Sequence, residues 1–180
     1  MWAINRIEFS VGLFFILFSF VASVQSQSSL VKTGEMAPGI FLRDLTGQDF
    51  FLSDYCGAPR QSWKPQRIPV VISFFATYCI PCQQEIPELS AIAQEYDGRV
   101  KFFLIDVKEQ QSKVTSFVQQ KNITLPVLLD KYGVIAKNYN VEALPNLFVI
   151  DQKGIITFVQ RGYDNKIPAK LKAHLERFKE

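Results

Sequence analysis

A chain of 180 residues, 48% hydrophobic and 13% aromatic, has the length of one domain and ample material for a core. Twenty basic and seventeen acidic residues leave a net charge of +3. No basic run or basic helix face accompanies that excess, which excludes a nucleic-acid footprint.

The first 26 residues stand apart. Arg6 supplies a positive start, weakened by Glu8, and Val11 to Val24 is uninterrupted apolar and small. Ala22, Val24 and Ser26 fit signal-peptidase cleavage after Ser26. The stretch is short for a spanning helix of about 20 residues. Counted from Ile7, however, it also fits an uncleaved N-terminal membrane anchor. No cysteine follows it to carry a lipid. A buried helix of the domain fits less well, because Gln25 to Ser29 reads as a polar joint. Export would place the cysteines where a disulfide persists and where a dithiol needs a dedicated electron donor.

Residues 27–180 then form the domain. Ile40-Phe41-Leu42 and Phe50-Phe51-Leu52 flank the turn Asp44-Leu45-Thr46-Gly47, which predicts a β-hairpin. A single helical turn starts at Ser53 to Tyr55. Cys56 to Arg67, with Gly57, Pro59 and Pro65, reads as an exposed loop. Val70 to Phe75 is a continuous apolar run suited to a strand covered on both faces.

The run stops at Ala76-Thr77-Tyr78, and Cys79-Ile80-Pro81-Cys82 follows at once. Ile86, Leu89, Ile92 and Ala93 recur at helical spacing, so a helix begins at or near Cys79, with a kink expected at Pro87. The first N–H groups of a helix lack partners and its N-terminus carries partial positive charge. A thiolate there is stabilised below the free cysteine pKa of about 8.5. Pro81 costs nothing in a first turn. This placement makes Cys79, at an exposed tip, the attacking thiolate and Cys82 the resolving thiol. A structural bridge is the blander reading, but so small a loop constrains the unfolded chain little. A zinc site would need a second ligand pair, and only Cys56 and His174 remain. A CxxC at a strand-to-helix junction is a redox signature.

Downstream, Val100 to Val107 predicts a strand, and Val114, Phe117 and Val118 the apolar stripe of a helix. Ile123 to Leu129, interrupted by Pro126, leads to Asp130, a cap for a helix over Tyr132 to Asn138. Leu147 to Asp151 and Ile155 to Gln160 make a second hairpin around Asp151-Gln152-Lys153-Gly154. Asp164 to Lys179 is a final amphipathic helix with Ile167, Leu171, Leu175 and Phe178 on one face. The order is β-hairpin, β, α, β, α, short α, β-hairpin, α. It predicts an α/β fold: a central mixed β-sheet flanked by helices.

The chain resembles the TlpA/ResA-type extracytoplasmic thioredoxin-like family, which includes reductants of c-type cytochrome maturation. The resemblance rests on DLTGQDFFLSDYCG (44–57), SFFATYCIPCQQEIPEL (73–89), LPVLLD (125–130) and YNVEALPNLFVIDQKGII (139–156). It implies a thioredoxin fold with the first hairpin as an N-terminal extension, a redox-active Cys79–Cys82 disulfide, and exchange with protein disulfides. A membrane-linked thiol donor would restore the dithiol, and no metal or organic cofactor is implied. By the motif, Pro145 is the cis-proline facing the sulfurs, and the turn exposes the Leu144 backbone to an extended substrate segment. Tyr78, Ile80 and Pro81 shape the rim around Cys79. Glu85 matches the family's active-site acid and could pass a proton to a thiolate; spacing alone fits a solvated helix residue equally well.

Two positions and one stretch depart from the family pattern, the stretch being residues 58–67, which read against it as an insertion before the central strand. Ser73 stands where many relatives carry an acid or amide. Cys56 stands where a basic residue is expected, and it reads as a free thiol, an intermolecular link or a partner for Cys79. Two other activities compete. A peroxiredoxin-like peroxide reductase fits poorly with Thr77, Ser73 and an adjacent Cys82. A copper-delivery module would want a histidine near the cysteines, whereas His174 lies in the last helix.

Overall fold

The computed structural model describes residues 31–59 and 67–178. The leader or anchor expected over 1–26 and most of the 58–67 insertion lie outside the described residues. No helix among the described residues is long and apolar enough to cross a membrane.

One seven-stranded sheet organises the chain, in the order β2-β1-β5-β4-β3-β6-β7. β1 (Phe41–Asp44) and β2 (Asp49–Phe51) form the first hairpin, closed by Asp44, whose carboxylate accepts the Thr46 and Gln48 N–H groups. β3 (Val70–Phe75) lies between β4 (Lys101–Val107), which it pairs parallel, and β6 (Asn146–Ile150), which it pairs antiparallel. All six β3 residues are buried, as a strand covered on both faces should be. β7 (Ile156–Arg161) completes the second hairpin. Its turn needs Gly154, at φ +85°, where an added Cβ would come within 2.8 Å of the Gly57 Cα.

One strand was not expected. β5 (Val127–Asp130) runs parallel to β4 and antiparallel to β1, and so joins the N-terminal hairpin to the sheet. Pro126 lowers the strand signal of this segment, but it falls just before the strand and takes no ladder N–H from it.

Strand alternation divides the core in two. Val71 and Phe75 face α1 (Ile80–Glu95), α2 (Gln111–Gln120) and α4 (Ile167–Leu175). Val70, Ile72 and Phe74 face α3 (Val134–Asn138) and the N-terminal segment. The Asp130 carboxylate caps α3 by accepting the Ala136 N–H at 2.7 Å, from a position ahead of the helix, which starts at Val134 rather than Tyr132. α1 runs unbroken past Pro87, which supplies no N–H to the preceding turn. Ile167, Leu171 and Leu175 are buried along α4, and Phe178 packs at its end.

Cys56 does not lie in an exposed loop. It is 2% exposed, packed with Leu52, Ile72 and Ile156 on the face away from α1, and burial pushes its thiol up to about 12. Cys79 belongs to the opposite core, so the two cannot pair without unfolding. Of the three readings of Cys56, the structure leaves a buried free thiol.

Leu171, fully buried beneath α1, carries much of the α4 contact. Leu171→Ala should cost about 2–5 kcal/mol in chemical denaturation of the oxidised protein. A cost near zero would mean that α4 does not seal this core.

Candidate active site

β3 ends at Phe75, and four residues later the chain enters α1 with Cys79 as its N-cap. The cap acceptor is the Cys79 sulfur itself, which takes the Cys82 N–H at 3.2 Å. Cys79 and Cys82 are joined as a disulfide. A sulfur normally makes a poor cap, but as a thiolate it would sit where the helix dipole and the free N–H groups favour negative charge.

Cys79 is not at an exposed tip. The oxidised residue keeps only 8% of its surface, because its sulfur is turned into the helix end toward Cys82. Tyr78 and Ile80, each 70% exposed, stand out beside it. Cys79 does line an open groove, together with Tyr78, Ile80, Pro81, Lys108 and Leu144. Cys82 is fully buried and lines none of it. A larger groove, with Phe41 and Tyr132 in its walls, follows the first hairpin and holds no sulfur.

The Leu144–Pro145 peptide is cis, as the motif implied. Leu144 reaches the groove and Pro145 is buried behind it. Tyr78, Cys79, Ile80, Pro81 and Leu144 are therefore brought to one place, while Glu85 lines none of that groove.

Glu85 is not a solvated helix residue. One turn past Cys82 it is 1% exposed, and its Oε2 accepts the Ser73 hydroxyl at 2.6 Å. Its Oε1 has no hydrogen-bond partner. Burial pushes this carboxyl up to about 7, with the nearby Glu88 adding to the rise and Ser73 opposing it. The serine that departs from the family pattern is thus the partner of the buried acid. His174 packs between Phe158 and Phe178 and meets the Thr157 hydroxyl at 2.9 Å, with no sulfur among those contacts.

Two acids were missed by sequence reasoning. Glu109, on the loop after β4, accepts both the N–H and, at 2.8 Å, the hydroxyl of Thr77. The Lys113 ammonium lies 2.6 Å from the same carboxylate and 5.5 Å from the centre of the Tyr78 ring. Asp106, fully buried, accepts the Glu109 N–H at 3.3 Å. Burial and the Glu109 carboxylate raise Asp106, whereas the donors around Glu109 outweigh its own burial and hold it low. Only an acid two residues past a predicted strand could have hinted at this pair.

The sheet order and helix placement are those of the thioredoxin fold, and the likeness to curated relatives makes the chain a thiol–disulfide oxidoreductase. It belongs to the AhpC/TSA family, whose model matches residues 33–159. It is 30% identical to the thiol-disulfide oxidoreductase ResA of Bacillus cereus, over 90% of this chain and 91% of that one. A secreted Mycobacterium tuberculosis disulfide oxidoreductase, described as homologous to the E. coli protein DsbE, superposes with a TM-score of 0.62 at 25% identity. That match covers 77% of this chain and 95% of the other. A thiol:disulfide interchange protein of Chlorobium tepidum superposes at 0.65 with 22% identity, over 83% and 99%.

The raised Glu85 pKa carries a stability consequence. Between its unfolded value of 4.5 and about 7, the folded state holds a proton that the unfolded state has lost. Stability is therefore fully present below 4.5 and declines as pH rises through about 7. Glu85→Gln removes the titration. The wild type should lose about 3 kcal/mol relative to the variant between pH 4.5 and 8, in denaturation of the oxidised proteins. Parallel pH curves would show that Glu85 is not held neutral.

Proposed function

We propose that this protein reduces disulfides in protein substrates outside the cytosol, with Cys79 attacking and Cys82 resolving. The observation that carries the reading is unequal access. Cys79 lines the groove and Cys82 is wholly buried behind it.

In the reduced protein, the Cys79 thiolate attacks one sulfur of the substrate disulfide. A Cys79–substrate bond forms, the substrate S–S bond breaks, and the departing sulfur takes up a proton. Cys82 then gives up its proton and attacks the Cys79 sulfur. The internal disulfide closes, the second substrate thiol leaves, and two electrons have passed to the substrate. Glu85 takes the Cys82 proton in this reading, which is supported by its near-neutral pKa, its position one turn along α1 and its unpaired oxygen. Leu144 offers backbone groups to an extended substrate segment, and Tyr78, Ile80 and Pro81 contact its side chains. A membrane-linked thiol donor returns the dithiol by the reverse exchange.

The resemblance to the family supports the reducing direction and clients such as those of c-type cytochrome maturation. Residues 1–26 act as the export signal or anchor; the secreted Mycobacterium relative supports that placement. Peroxide reduction is disfavoured because the Thr77 hydroxyl is given to Glu109 rather than to the Cys79 sulfur.

Two measurements test this reading. The Cys79–Cys82 couple should have a reduction potential near or below about −250 mV, and a value near −120 mV would make the protein an oxidant. Cys82→Ser should accumulate mixed disulfides through Cys79, whereas Cys79→Ser should lose disulfide-reducing activity. Retained activity in Cys79→Ser would end the reading.

A further inference from the structure

We propose that Glu109 is a positioning residue for the exchange reaction, clamping the loop between β3 and α1 so that the Cys79 sulfur stays on the helix N-terminus. This rests on the assignment of Cys79 as the attacking thiolate.

The loop is only four residues long, Ala76 to Cys79, and three kinds of contact define it. Glu109 takes the Thr77 N–H and hydroxyl, one on each carboxylate oxygen. The Gln83 side-chain amide donates to the Thr77 carbonyl at 2.9 Å. The Cys79 N–H donates to the Ala76 carbonyl at 3.0 Å. The Gln83 and Cys79 contacts are local, made by α1 and the loop to themselves. Among the hydrogen bonds of the described residues, those of Glu109 alone tie the loop to a segment beyond itself and α1, from 32 residues away.

The clamp is itself braced. Glu109 is 9% exposed, and its position is set by Asp106 beneath its N–H and by Lys113, one turn into α2, on its outer oxygen. Lys113 also lies over the ring of Tyr78, the residue between the clamped Thr77 and Cys79. One carboxylate thus orients both the approach to the nucleophile and one wall of the groove. A loop released at Thr77 lets the sulfur drift off the helix end, and the thiolate loses the N–H groups that stabilise it.

The sign of one measurement separates positioning from simple charge. In Glu109→Gln, Lys113 is left without its carboxylate, and an unpaired cation near Tyr78 would lower the Cys79 pKa. A displaced loop would raise it. Lys108 and Glu142 on the groove walls and the buried Glu85 are unchanged by the substitution. Asp106, raised by burial and by the Glu109 carboxylate, loses that neighbour. It is neutralised in the control Asp106→Asn/Glu109→Gln, where the same sign must hold.

The test is the pH profile of iodoacetamide alkylation of the fully reduced protein, with the modified cysteine located by mass spectrometry and folding checked by thermal melts. Glu109→Gln should move the Cys79 midpoint upward by about one unit and lower kcat/KM for protein disulfide reduction about tenfold. Thr77→Val, which keeps the N–H but removes the hydroxyl donor, should shift the midpoint in the same direction by less. Thr77→Ser, which keeps both donors, should return it toward the wild type. A downward shift in Glu109→Gln would make Glu109 a counter-charge only, and an unmoved profile with a lowered melting temperature would make it merely structural. Either result overturns the proposal. If Glu109→Gln does not fold, the Thr77 pair decides alone: equal profiles for the valine and serine variants overturn it. Wild-type alkylation found on Cys82 instead of Cys79 would overturn the exchange mechanism itself, and this inference with it.

Discussion

A hydrogen bond from a helix N–H to a sulfur sits at the centre of this molecule. Cys79 caps α1, a helix of 16 residues, and its acceptor is the atom proposed to attack the substrate disulfide. For that bond to bias a thiol toward its anion, the helix end must be held still and kept from water. β3 provides the first condition, since a strand buried along its whole length and paired on both sides cannot slide. The tight packing of α1 against the sheet, through Ile86, Leu89 and Ile92, provides the second.

Around that bond the protein places acids at two depths. Glu85 is buried one turn past Cys82, uncharged up to near-neutral pH, and takes a hydrogen bond from Ser73. Glu109 is beside the loop and stays ionised, because three donors converge on it. The same residue type is driven to opposite protonation states by the balance between lost solvent and gained donors. A neutral acid can accept a proton after it has ionised; a fixed anion can only hold a shape. The two carboxylates therefore suit different tasks.

Much of this was legible in the chain. The apolar run of Val70 to Phe75, the CxxC that follows it, and the two glycine-bearing hairpins each announce their structure within a few residues. Pro145 was readable only through its motif. The failures share one cause. β5 depends on β1 and β4 for its ladder, and Pro126 obscured it. Cys56 is adjacent to loop-like residues, yet it is drawn inward by neighbours from β3 and β7. Glu85 and Ser73 are 12 residues apart, and Glu109 and Thr77 are 32 apart. No periodicity marks a polar residue whose partner lies on another element, so these contacts become visible only when the chain is folded.

The burial of Cys82 has a kinetic consequence. If exchange runs as proposed, with Cys79 alone of the two cysteines lining the groove, the molecule that delivers electrons and the molecule that collects them must use the same doorway. They can never be present together, so turnover is a strict alternation of visitors and saturates at the pace of the slower one. Client and donor must also answer to the same few square ångströms around Tyr78 and Ile80. Two proteins with no relation to each other would then have to offer this oxidoreductase much the same face.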